Sequence, residues 1–225
     1  MLFSIIIPSR GTRPKALAQA IDSVLEALIH AESSLASEDV EILVGFDGVR
    51  GERVVIGKNV HYFDLPQDQN WGNGIRDILL RRAKGERVVF LDDDNSLTAN
   101  AFATYLRHMD AEMLIARIDA SKSFTCSHLP TTVPGKSLIR QGNIDPLCLS
   151  LSRELVVVRC QGWLPQGKYE SDYLNILRYS RRARSVHVTE EIVGIYDAGA
   201  GLDPEGANLR QRNLLDHKTK SKAGW

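Results

Sequence analysis

The sequence predicts an α/β domain with a mainly parallel central sheet flanked by helices, and three observations lead there. Short runs that are apolar throughout, Phe3–Ile7, Glu41–Phe46 (EILVGF) and Arg87–Leu91, read as strands covered on both faces. Segments with helical spacing lie between them. Polar clusters (SRGTR, Asp47-Gly48 and DDDNS) all follow strands on one side, where such sheets bind ligands.

Each element has a local reason. Phe3–Ile7 is β-branched and ended by Pro8. After SRGTRP, the spacing of Leu17, Ile21, Val24 and Leu28 predicts a helix, with Pro14 in its first turn where a missing N–H costs nothing. The second strand closes at Asp47-Gly48, and His61–Leu65 makes a third. Ile75–Ala83 is helical, with Ile78, Leu79 and Ala83 inward, and Gly85 stops it before the strand Arg87–Leu91. In the second half, Thr98 caps a helix through about Met109, and Glu112–Ile118 reads as a strand. Ser121–Gly142 is a long Ser/Thr/Pro/Gly loop. Ser152–Gln161 is ambiguous, because Val156–Val158 favours a strand while Arg153–Leu155 could open a helix. Tyr173–Arg182 is helical, Ser185–Val188 and Ile192–Tyr196 are short strands, and Gly199–Gly206 is flexible in composition. The tail HKTKSKAGW is polar and expected to fray.

The chain has 225 residues, suited to one large domain over 1–225. Its 28 basic residues balance 28 acidic ones, so the charge points to neither nucleic acid nor an anionic membrane. No apolar run approaches membrane-spanning length, and the first residues lack the pattern of a signal peptide. Cys126, Cys148 and Cys160 form no CxxC pair and read as free thiols of a reducing cytoplasm, with no zinc site or disulfide framework.

The stretch Val88–Ser96, VVFLDDDNS, sets three like charges side by side, against both repulsion and desolvation. Either these carboxylates are solvated in an ordinary Asp-rich turn, with Asn95 and Ser96 as local hydrogen-bonders, or something positive belongs among them. Strand alternation would point Asp92 and Asp94 the same way, a hard oxygen site suited to Mg²⁺ or Mn²⁺. An EF-hand loop fails, since Leu97 and Ala103 stand where it needs Gly and Glu. A phosphatase of the haloacid-dehalogenase type fits Asp92-x-Asp94-x-Ser96 better, but its motif follows the first strand, and about 90 residues precede this one.

SIIIPSR (Ser4–Arg10), FDG (Phe46–Gly48), GIRDILLRRAKGERVVFLDDDN (Gly74–Asn95), QGW and YESDYLNILRYSRR (Tyr169–Arg182) occur in one order. Together they resemble family 2 glycosyltransferases of the GT-A fold, over roughly residues 2–198. The resemblance implies a single GT-A domain, its nucleotide-binding half at about 1–97, acceptor-binding half at about 98–205 and a polar tail at about 206–225. It implies that Pro8, Ser9 and Arg10 lie against the nucleoside, that Asp47 contacts the base and that Arg76 contacts the base or diphosphate. Asp92, Asp93 and Asp94 match the DxD motif, with Asp93 near the ribose and Asp94, with Asp92, on a Mn²⁺ or Mg²⁺ ion. Asp172 matches the general base, with its register set by Arg178 six residues on, and the resemblance implies Glu170 as the substitute for the Glu that Ser171 replaces. Phe46 stands where a first acidic residue is usual, and Asp77 where Asn is commoner.

On this resemblance the ion neutralises the departing nucleoside diphosphate, and the carboxylate removes the acceptor proton as the oxygen attacks. Attack opposite the leaving group inverts the anomeric centre. The expected partners are a nucleotide-diphospho-sugar donor, UDP-linked by default, and a glycan, lipid-linked or small-molecule acceptor. The absence of membrane segments favours a cytoplasmic, soluble or membrane-peripheral enzyme of single transfers. Ser121–Gly142 and Gly199–Gly206 are the candidate mobile loops that keep water out. A sugar-nucleotide-binding protein without catalysis is the alternative from another class.

Overall fold

Seven consecutive buried residues, Phe3–Ser9, form β1 in the computed structural model, which describes residues 1–31, 33–68, 70–164, 170–207 and 211–212. β2 (Val40–Asp47) and β4 (Arg87–Phe90) flank β1 in parallel, and β3 (Val60–Leu65) extends the sheet beyond β2. Full burial of β1, and of β2 short of its last residue, explains why they carry apolar runs in place of alternation. The crossovers are α1 (Pro14–His30), with Leu17, Ile21, Val24 and Leu28 buried, and α2 (Asn73–Arg82). The chain builds β1, β2 and β3 in one direction, then returns to lay β4 on the other side of β1. That reversal opens a crevice above the carboxyl ends of β1 and β4.

The second half adds β5 (Ser96–Leu97), α3 (Ala101–Arg107), β6 (Met113–Asp119), β7 (His128–Leu129), β8 (Leu149–Ser152), α4 (Ser171–Arg182) and β9 (Val186–Ile195). The sheet runs β3-β2-β1-β4-β8-β6-β9-β5, with β7 paired to β6. β8 is antiparallel to both β4 and β6, whereas β6 and β9 are parallel. The expected mainly parallel sheet with flanking helices is therefore present.

Four local expectations change. The strand near Ser152 is Leu149–Ser152, and the three valines lie in a π-helical turn, Glu154–Arg159, which buries Leu155 and Val156. Packing overrides their β propensity there. The two short strands at 185–196 are one strand, β9, with register shifts against β6. Asn100, not Thr98, is the N-cap of α3; the Thr98 hydroxyl instead donates to the Ile192 carbonyl at 2.8 Å. Gly199–Gly206 is tied down: the Gly199 N–H donates to the Asp94 carbonyl at 2.9 Å, and Asp203 accepts from the Ala16 N–H at 2.8 Å. Asp203 thus supplies the N-terminal cap that the Arg13 side chain does not give α1. Tyr169 and the tail HKTKSKAGW lie outside the described residues.

Candidate active site

The aspartates occupy the crevice above β1 and β4. β4 ends at Phe90, and the Asn95 N–H donates to the Asp92 carbonyl at 3.0 Å, so the run is a turn and strand alternation no longer applies. The side chains therefore sort differently from the sequence expectation. Asp93 and Asp94 share one partner, and Asp92 turns to another.

That shared partner is Arg13. Its Nη2 pairs with Asp93 and its Nη1 with Asp94. Both carboxylates are nearly buried, at 1% and 7% exposure. The Ser9 hydroxyl donates to Asp93 Oδ2 at 2.6 Å, and the Gln211 amide donates to Asp94 Oδ2 at 2.8 Å and to Asp197 at 2.9 Å. The Asp197 N–H in turn donates to Asn95 Oδ1 at 2.8 Å, which seats Asp197 and Gln211 beside the aspartate pair. Burial holds both carboxyls above their usual range, against the pull of the guanidinium. Sequence reasoning named Ser9 and the aspartates but passed over Arg13 and Gln211. The one signal for Arg13 was the unmet need for a cation.

Asp92 is paired with Arg76, the other arginine of the crevice. Arg76 is 4% exposed, donates to the Trp71 carbonyl at 3.0 Å and lies over the Trp163 ring at 5.4 Å. Trp163 is fully buried, edge-on to Phe90, and its indole N–H donates to Asn73 at 2.8 Å. Trp163 is therefore a core anchor that also seats Arg76. Asp77 accepts from the Trp163 N–H at 3.0 Å, while Arg178 donates to the Cys160 and Gly162 carbonyls at 2.8 and 2.7 Å. The QGW turn is thereby held between α2 and α4. These bonds give Asp77 and Arg178 structural reasons that the sequence did not show.

Arg76, Asp92, Asp145, Glu170 and Asp172 line an open pocket of about 270 Å³, with Trp71 at its edge. Asp172, in the first turn of α4, has its carboxyl raised by burial and by Asp92, against the pull of Arg76. Glu170 is exposed at the rim, with Gln141 Nε2 3.4 Å from its carboxylate. Asp145 was not anticipated. It accepts from the Leu147 N–H at 2.9 Å, and burial, followed by the charge of Asp92, pushes its pKa up to about 8. The Asp-Pro pair at 145–146, a cap followed by proline, was its only local signal.

The residues expected at the nucleoside lie farther along the strand ends. Pro8 is buried at the end of β1, Arg10 is exposed, and Asp47 accepts from the Asp68 N–H at 2.6 Å. None of these three lines the pocket. Phe46 stacks on Tyr62 beneath Arg53, an apolar role in place of an acidic one. The divalent ion fits poorly at Asp94, because Arg13 and Gln211 already take its Oδ2. Among the described residues no group of three or more His, Cys, Asp or Glu is set to hold a metal.

Fold and crevice together define an α/β domain that presents acidic and basic side chains above a topological switch point. Residues 4–128 match the profile of Glycosyl transferase family 2, more than half of the chain. The chain belongs to that family. Its fold is similar to that of S. aureus TarS 1-349, with 15% identity and a TM-score of 0.66 over 87% of this chain and 60% of that one. It is also similar to the same fragment in complex with UDP, at 16% identity and a TM-score of 0.68, again over 87% and 60%. The complex with UDP-GlcNAc gives 14% identity and a TM-score of 0.63 over 87% and 58%. The chain thus spans three fifths or less of those structures. No curated protein matches it.

Proposed function

We propose that the protein transfers a sugar from a nucleoside diphosphate donor to an acceptor hydroxyl, with Asp172 as general base. The observation that carries this reading is the Asp172 carboxyl, lining an open pocket beside Arg76 with its proton affinity raised by burial. A base of raised pKa works nearer neutrality than an ordinary carboxylate. The acceptor hydroxyl enters the pocket past Glu170, Asp172 takes its proton, and the oxygen attacks the anomeric carbon with inversion. The nucleoside lies along Pro8, Ser9, Arg10 and Asp47, with the ribose toward Asp93. Arg76 faces the pocket as the positive group nearest the departing diphosphate. The UDP and UDP-GlcNAc complexes of TarS support UDP as the default carrier.

Among the described residues no helix is long and apolar enough to cross a membrane. We assign the chain to a reducing compartment, because Cys126, Cys148 and Cys160 are all free. Two measurements test the transferase reading. UDP should raise the melting temperature, and Asp172→Asn should keep that rise while losing transfer. A wild type that binds UDP yet never turns over with any acceptor or with water would instead be a binding module. No thermal shift with UDP, GDP, CDP or dTDP would sink both readings.

A further inference from the structure

Asp93 and Asp94 are adjacent, nearly buried carboxylates, an arrangement that requires a counter-charge. A divalent cation at this strand end would use the same oxygens that Arg13 engages. Ser9 and Gln211 add two neutral donors, at Asp93 Oδ2 and Asp94 Oδ2. The arginine is itself fixed in place. It starts α1, whose first amides are held by Asp203. Gly206 packs on the Thr12 carbonyl and the Arg13 stem so closely that a Cβ there would collide with both. The Arg13 stem is therefore packed beneath Gly206.

We infer that Arg13 is the resident cation of the Asp93–Asp94 pair, in the place a divalent ion would hold, so that donor binding here needs no metal. Arg13 acts through the aspartates as a positioning residue. It offsets part of their charge and, with Ser9, fixes Asp93 at the end of β1. The proposal rests on the transferase reading only where it speaks of the donor.

The test uses the full chain and two probes, Mn²⁺ followed by electron paramagnetic resonance and UDP followed by calorimetry. Wild type should hold no Mn²⁺ at the pair, and its UDP affinity should agree within about twofold between EDTA and Mn²⁺ buffers. Arg13→Ala should acquire Mn²⁺ binding and a melting temperature that Mn²⁺ raises, whereas Arg13→Lys should acquire neither. One Mn²⁺ bound by wild type and lost in Asp94→Asn would overturn the inference. A rise of about tenfold or more in wild-type UDP affinity on adding Mn²⁺ would do the same. Should Arg13→Ala fail to fold, the wild-type titrations decide alone. Absence of UDP binding in both buffers would count against the transferase reading, and the Mn²⁺ titration would still decide this one.

Discussion

Two arginines gather the carboxylates above the sheet, and they do so in opposite ways. Arg13 meets Asp93 and Asp94 beneath Gly206 and beside Gln211, and Ser9 and Gln211 add hydrogen bonds to the pair. Arg76 meets Asp92 in an open pocket where Asp145 and Asp172 also feel its charge. The first cluster is closed, with one arginine between two nearly buried carboxylates. The second lines an open pocket, where burial raises the carboxyls of Asp145 and Asp172 as it raises those of Asp93 and Asp94 in the first. Charge enclosed in this way organises a fold, whereas charge lining an open pocket is available for chemistry.

The largest expected effect probes the open side. Asp172→Asn should lower the transfer rate about 10²–10⁴-fold, measured as UDP release with acceptor present, while leaving the melting temperature nearly unchanged. A large loss of stability with transfer retained would erase the distinction between the clusters. Arg76→Met comes next. It strands Asp92, Asp145 and Asp172 without their cation and should cost about 2–3 kcal/mol in denaturant unfolding, discounted for the solvent at Asp92.

Asp145 sharpens the contrast through pH. Its pKa is pushed up to about 8, so the folded chain holds that proton more tightly than the unfolded one. Stability from this group is full at low pH and falls as pH rises from about 4 toward 8. Asp145→Asn should therefore match wild type near pH 4 and exceed it by roughly 1–2 kcal/mol near pH 8, read from urea midpoints. The smallest effect lies at the cover of the closed cluster. Asp203→Ala should cost about 1 kcal/mol of stability through the lost cap on α1, with transfer by the remaining folded protein unchanged.

What the sequence revealed follows the range of the interactions. β1, α1, β2 and α2 were legible because burial on both faces and helical spacing are written locally. The neighbourhood of Asp92–Asp94 was legible because a strand end marks it, whereas Asp172 was reached only through the family resemblance. The direction of the three aspartates was not, since the turn at Asn95 undoes the strand alternation assumed for them. Arg13 lies within SRGTRP, but its bond to Asp94 spans 81 residues, and no local pattern announces such a reach. The valines at 156–158 misled in the other direction, because their propensity yielded to the packing of Leu155 and Val156.

The bond from Ala16 to Asp203 joins residues 187 apart in the chain. Vectorial synthesis therefore exposes Arg13 and the aspartates long before their cover exists. In the emerging chain those charges remain hydrated, and the helix start lacks its distant acceptor until Asp203 follows. The strands β1 to β4 can pair early, while the crevice acquires its final electrostatics only when Asp203 and Gln211 have been made and folded back over the first helix.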